Sequence, residues 1–254
     1  MPVTEWDSEG RNPRLTLSVE AMLHRIRLGH VAPTPMHPPG APSPPAPARQ
    51  LLFALGLTTL AVWICYAWLD RPIAWFVHDH ALPRIYLLLQ LTHLPDGIVV
   101  ASAIVLLLAP LRVGFRRPVG RGERVLLGIS ASVALAVFVK NFLKFVFGRA
   151  WPETWIDHNP SLIHDHVYGF FWFQSSPGFH SFPSGHTTVT FAAMSVLWLW
   201  LPARWRWLPV VPCALVIVGL LGMDYHFLGD VVAGAFMGSV CGMYVYRWMV
   251  VTRR

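Results

Sequence analysis

Six apolar runs divide the chain. Leu51 to Leu69 is an uncharged stretch of 19 residues between Arg49 and the Asp70–Arg71 pair, long enough to cross a bilayer as a helix. A second run, Gly97 to Leu111, takes in part of Tyr86 to Pro95. Val125 to Phe147 is the third, with Lys140, Asn141 and Lys144 in its last part. Ser184 to Leu201, Leu208 to Met223 and Leu228 to Tyr246 complete the set. Backbone polar groups in hydrocarbon must be satisfied within their own segment, so such runs are helices. The pattern predicts an all-α polytopic membrane protein, a bundle of six transmembrane helices over residues 50–247. Six crossings put both termini on one side of the membrane. A short tail, 248–254, follows.

Residues 1–49 read differently. Ten of the 22 prolines are here, eight of them between Pro33 and Pro47, a composition that predicts an extended, disordered linker. Before it, Val19, Met22, Leu23 and Ile26 recur at helical spacing beside Arg25 and Arg27. That segment reads either as a short helix on the membrane surface or as part of a disordered tail. Glu5, Asp7 and Glu9 open the chain, far from the first apolar run. No cleavable signal peptide is expected.

Composition narrows the class. Of 254 residues, 54% are hydrophobic and 13% charged, about half the charged fraction usual for a soluble domain. Mean hydropathy is +0.48. The net charge of +7 does not point to nucleic acid, because the positive residues sit between apolar runs. Fifteen Lys and Arg fall on the face holding both termini, in residues 1–49, 112–124, 202–207 and 247–254. The other face holds only Arg71, Arg84 and Arg149. That asymmetry predicts cytoplasmic termini, with loops 70–96 and 148–183 facing outward. Cys65, Cys213 and Cys241 lie inside apolar runs, and no spacing suggests a disulfide framework or a zinc site.

Ionisable groups inside spans are costly and mark function. Topology gathers them at the outward end. Lys140, Lys144 and Arg149 close the third run, Pro183-Ser184-Gly185-His186 opens the fourth, and His226 and Asp230 lie between the fifth and sixth. Each group suits phosphoryl chemistry. Ser184 and Gly185 at a helix N-terminus offer a hydroxyl and free N–H groups to an anion. Lys144 and Arg149 can neutralise phosphate oxygens. His226 and Asp230 share a helical face, so the carboxylate can orient the imidazole as a nucleophile. His186 can act as a general acid. Singly, each has a bland alternative, such as a helix cap, a snorkelling lysine or a structural hydrogen bond. Their convergence favours a site.

These residues resemble the phosphatidic acid phosphatase type 2 family, membrane relatives of the vanadium haloperoxidases. Its motifs are Lys-x6-Arg-Pro, Pro-Ser-Gly-His and Ser-Arg-x5-His-x3-Asp. Pro183 to His186 matches the second in full; Lys144 and Pro152 match the ends of the first; His226 and Asp230 end the third. The resemblance implies attack by His226 on phosphorus, orientation by Asp230 and proton donation by His186. It implies a phosphate held by Lys144, Ser184 and Gly185, and no metal or other cofactor. It also implies a phosphorylated lipid as substrate, such as phosphatidic acid, phosphatidylglycerophosphate, a prenyl diphosphate or lipid A. Some members pass the phosphoryl group to another acceptor. With the Arg, Ala, Pro and Trp-rich composition, it implies a bacterial inner membrane with the site facing the periplasm.

Two positions depart from the motifs. Trp151 stands where the first expects arginine, and Gly219-Leu220 where the third expects Ser-Arg. Arg149 is the expected substitute on the phosphate, with Lys140 behind it. A site short of arginines is expected to hold a dianion less tightly. The loop residues Asp157, His158, His164, Asp165, His166 and His180 read as solvated, with no diagnostic metal spacing. Trp151, Trp155 and Phe170 to Phe173 read as an interfacial aromatic belt. Asp224 reads as structural. Gly234, Gly238 and Gly242 allow close approach of a helix, within the bundle or from a second copy in a homodimer.

Overall fold

The computed structural model describes residues 48–113, 119–155 and 158–251. The expectations for the Pro33–Pro47 linker, the Val19–Ile26 segment, Asp157 and the last three residues of the C-terminal tail lie outside these residues. The described chain is helical. Helix α1 spans Ala48–Asp79, α2 Tyr86–Thr92, α3 Leu94–Val113, α4 Arg121–Phe147, α5 Leu162–Asp165, α6 Gly185–Trp200, α7 Val210–Gly222 and α8 Leu228–Val251. Five stretches are long and apolar enough to cross a membrane: Ala48–Asp79, Tyr86–Leu111, Arg121–Phe147, Ala203–Gly222 and Leu228–Val250.

The expected sixth, α6, has only 16 residues. It nevertheless lies at the centre, packed against α3, α4, α7 and α8. Its first turn faces Lys140 on α4, and its last carbonyl, of Trp200, accepts from Arg121 at the start of α4. The two helices therefore run antiparallel past each other. Because neighbours surround α6, its Thr187, Thr188 and Thr190 are fully buried. The outer helices α1 and α3 expose their apolar side chains instead, as lipid-facing helices do.

The glycine stripe is used inside this bundle. A Cβ at Gly234 would stand 2.6 Å from the Ser184 carbonyl oxygen, and one at Gly242 2.6 Å from that of Ala192; Gly238 abuts the carbonyl of Thr188. α8 thus lies backbone-to-backbone on α6 of the same chain. Of the two uses expected for these glycines, close packing within the bundle is the one these contacts describe.

The first span also differs from expectation. It does not stop at Leu69 but continues through Asp70–Arg71 to Asp79. A π-helical turn, Cys65–Leu69, precedes Asp70, and such turns often sit at functional positions. Asp70 is 1% exposed. A buried charge inside a span needs a partner, and loop 148–183 supplies it.

Candidate active site

Loop 148–183 folds back over the end of α4. Gly148 ends that helix with φ of 39°, a left-handed backbone that suits glycine, and its N–H returns to the Lys144 carbonyl. The turn sends Arg149 inward. Its guanidinium is fully buried, with Nη1 donating to Asp230 Oδ1 at 2.5 Å and Nη2 to Asp70 Oδ2 at 2.6 Å. Nη2 also reaches the Tyr168 hydroxyl, 3.1 Å away. The rings of Tyr66, Tyr168, Phe170 and Phe227 surround the guanidinium carbon at 4.4 to 5.4 Å. Burial works against this charge, but Asp230 and Asp70 outweigh it and hold the guanidinium protonated well above its ordinary value.

Arg149, expected on the phosphate, is thus placed among carboxylates within the fold. Both of its terminal nitrogens are engaged by carboxylates and none of it is exposed. Those carboxylates also order the start of α8. Asp70 Oδ1 accepts from Gly229 N–H at 2.9 Å and Asp230 Oδ2 from Phe227 N–H at 3.1 Å, which places negative charge where free N–H groups and the helix dipole favour it.

His226 is 3% exposed. Its Nδ1 lies 3.6 Å from Asp230 Oδ2, too long for a direct hydrogen bond. Ser181 closes the gap. Its hydroxyl donates to Asp230 Oδ2 at 2.6 Å and lies 3.4 Å from His226 Nδ1. With the hydroxyl hydrogen directed at Asp230, Ser181 Oγ is left to accept from the Nδ1–H tautomer of His226, in which Nε2 carries the lone pair. Burial holds the imidazole below its usual range, against the pull of Asp230. The ring is therefore neutral near pH 7, the form a nucleophile requires.

The other motif residues surround it. The His186 ring centroid is 6.2 Å from that of His226, and Trp151 packs on His226 at 5.1 Å. Ser184 caps α6, its Oγ accepting from Thr187 N–H at 3.4 Å, while its own N–H donates to the Asp230 carbonyl at 3.0 Å. The cradle and the His226 turn are thus joined by backbone. The N–H groups of Gly185 and His186 start the helix and have no intrahelical acceptor. Lys144 donates to the His180 carbonyl, and its Nζ stands 5.5 Å from the Trp151 ring.

The motif departures have packing reasons. Leu220 is fully buried, and a Cβ at Gly219 would come within 2.8 Å of Leu91 Cβ. The Ser-Arg positions have become a close contact between α7 and α2. The aromatic belt also divides. Trp172 and Phe173 are exposed, whereas Phe170 lines the Arg149 cage and Phe171 packs on Phe179. Of the loop histidines, His164 pairs with Glu153 at 2.6 Å, and Glu153 also meets His78 of α1 at 3.3 Å. Asp224 is buried beside this pair; burial first, and the Glu153 charge second, push its carboxyl up to about 8.

Sequence reasoning missed Asp70, Ser181 and Tyr168, all buried or half-buried in the network behind His226. It also missed Asp96, whose Oδ1 lies 3.9 Å from His186 Nε2. The one available signal was Asp70, a charge adjoining an apolar run. Ser181, Tyr168 and Asp96 had no local pattern.

Two curated relatives, the lipid A 1-phosphatases of Rhizobium johnstonii and Rhizobium etli, are each 33% identical over 117 residues. The alignments cover 42% of this chain and 41% and 43% of those proteins, so the chain spans less than half the length of either relative. No solved structure matches. Residues 125–254, which carry every motif residue described above, match the model of the PAP2 superfamily, and the chain belongs to that superfamily.

Proposed function

We propose that this protein is a membrane lipid phosphatase that works through a phosphohistidine on His226. The observation that carries the reading is the placement of His226: Nδ1 held by Ser181 and Asp230, with the ring turned to His186 at the N-terminus of α6. Substrate phosphate rests on Ser184, the Gly185 N–H and Lys144. His226 Nε2 attacks phosphorus, the N–P bond forms and the P–O bond to the lipid breaks. His186 gives its proton to the departing oxygen. Water then attacks phosphorus, the N–P bond breaks and His186 takes the proton back. Arg149 is a positioning residue in this scheme. Asp70 and Asp230 together carry two negative charges against its one, so positive charge developing on His226 meets a net negative cluster.

The expected substrate is a lipid phosphomonoester or diphosphate. The names of the curated relatives make lipid A 1-phosphate the first to try. Purified full-length protein is expected to release inorganic phosphate from at least one member of a lipid panel without an added acceptor, equally with and without chelator. Release only in the presence of an acceptor would make it a phosphotransferase. Binding without turnover would make it a lipid-binding protein, and loss of activity with chelator would require a metal.

Orientation follows from the fifteen-to-three asymmetry of Lys and Arg. A reporter fused after Arg254 is expected in the cytoplasm and one inserted near His164 outside. The reverse labelling would move the active site to the cytosol.

A further inference from the structure

Neither motif arginine has a counterpart at its usual place, and Arg149 is engaged by Asp70 and Asp230. The cradle still faces two cations. Lys140 and Lys144 lie one helical turn apart on α4. The Lys140 Nζ and Cδ are each 3.3 Å from the point a Cβ on Gly185 would occupy. Its ammonium therefore lies against the backbone of the Pro-Ser-Gly-His turn itself, in space left open by the missing side chain. Its hydrogen bond goes to the neutral Asn141 Oδ1 at 3.1 Å, and that of Lys144 to the His180 carbonyl. Among the described residues neither has a carboxylate within ion-pair distance. Like charges four residues apart on a helix repel, and a partly buried ammonium without a counter-charge is costly. An anion held between the two relieves both.

We propose that Lys140 is a substrate-binding residue whose ammonium takes a non-bridging oxygen of the phosphoryl group, in place of the absent motif arginines. This rests on the phosphatase reading and adds a cation to its site. Ammonium groups act as point charges without the planar fork of a guanidinium, so a cradle of two lysines fixes the phosphoryl orientation less strictly than an arginine pair would.

The test uses the detergent-purified full chain, with inorganic phosphate as probe. Lys140→Met should raise the inhibition constant of inorganic phosphate and lower kcat/KM by about 30-fold or more, the usual cost of truncating a charged contact. Lys140→Arg, which keeps the charge, should lose less. Values within two-fold of wild type in Lys140→Met, or equal losses in the Met and Arg variants, would overturn the proposal. A measurement on the unaltered protein covers variants that do not fold. An amine-acylating reagent should modify Lys140, and saturating inorganic phosphate should protect it; undiminished modification would overturn the proposal. Absence of turnover in wild type with any lipid would instead sink the phosphatase reading, and the protection experiment would still report on anion binding.

Discussion

His226→Ala should abolish phosphate release from every substrate, while His186→Ala should keep measurable turnover of an aryl phosphate. The two histidines sit in different surroundings. His226 is buried, its Nδ1 side occupied by Ser181 and Asp230, and burial keeps it neutral. The His186 side chain is 35% exposed and faces Asp96 at 3.9 Å across the mouth of the site. Burial and the neighbouring His226, Lys144 and Lys140 disfavour a proton on His186, and the Asp96 carboxylate works against them. Proton donation to a leaving oxygen contributes about 10²–10⁴-fold, and matters most for a poor leaving group such as a lipid alkoxide. His186→Ala should therefore lose about that factor on a lipid and far less on an activated aryl ester. Acid quench of the His186 variant with labelled substrate should trap phosphohistidine, and that of the His226 variant should not. Label that survives loss of His226 and requires His186 would reverse the two roles.

Arg149→Ala should cost the protein its fold as well as its activity. Removing the guanidinium leaves Asp70 and Asp230, both fully buried, without their common partner. Breaking a buried pair by truncating one member costs about 3–5 kcal/mol, and here one residue serves two carboxylates. The start of α8, held by those same carboxylates, should loosen with it. The measurement is thermal unfolding in detergent alongside kcat and KM. Arg149→Lys should rescue little, because one ammonium cannot reproduce two directed nitrogens on opposite acids. Asp70→Asn, which removes one charge and leaves the Arg149–Asp230 pair, should be milder. An Arg149→Ala protein that melts like wild type and shows only a raised KM would return Arg149 to the phosphate.

Much of the site was legible because its local parts are short-range. Apolar runs of spanning length must be helices in lipid. Pro183 to His186 before such a run is a helix start, and His226 and Asp230, four apart, meet wherever the backbone turns helically. Helix limits were less legible. Asp70–Arg71 looked like the end of α1, because composition alone gives a charge in an apolar helix no reason to stay. The reason is Arg149, 79 residues away in sequence.

By itself, then, the sequence determined an all-α membrane chain and its superfamily motifs, with a histidine in each of two of them. These depend on periodicity and on residues within a turn of one another. Only the tertiary structure decided how the charges are paired. It paired Arg149 with Asp70 and Asp230, inserted Ser181 between His226 and Asp230, set Asp96 opposite His186 and laid Lys140 against Gly185. It also laid the Gly234, Gly238 and Gly242 stripe against α6. Such pairings depend on which helix faces which and at what depth. That is set by close packing of backbones across the bundle, a property of several segments together that no one of them displays alone.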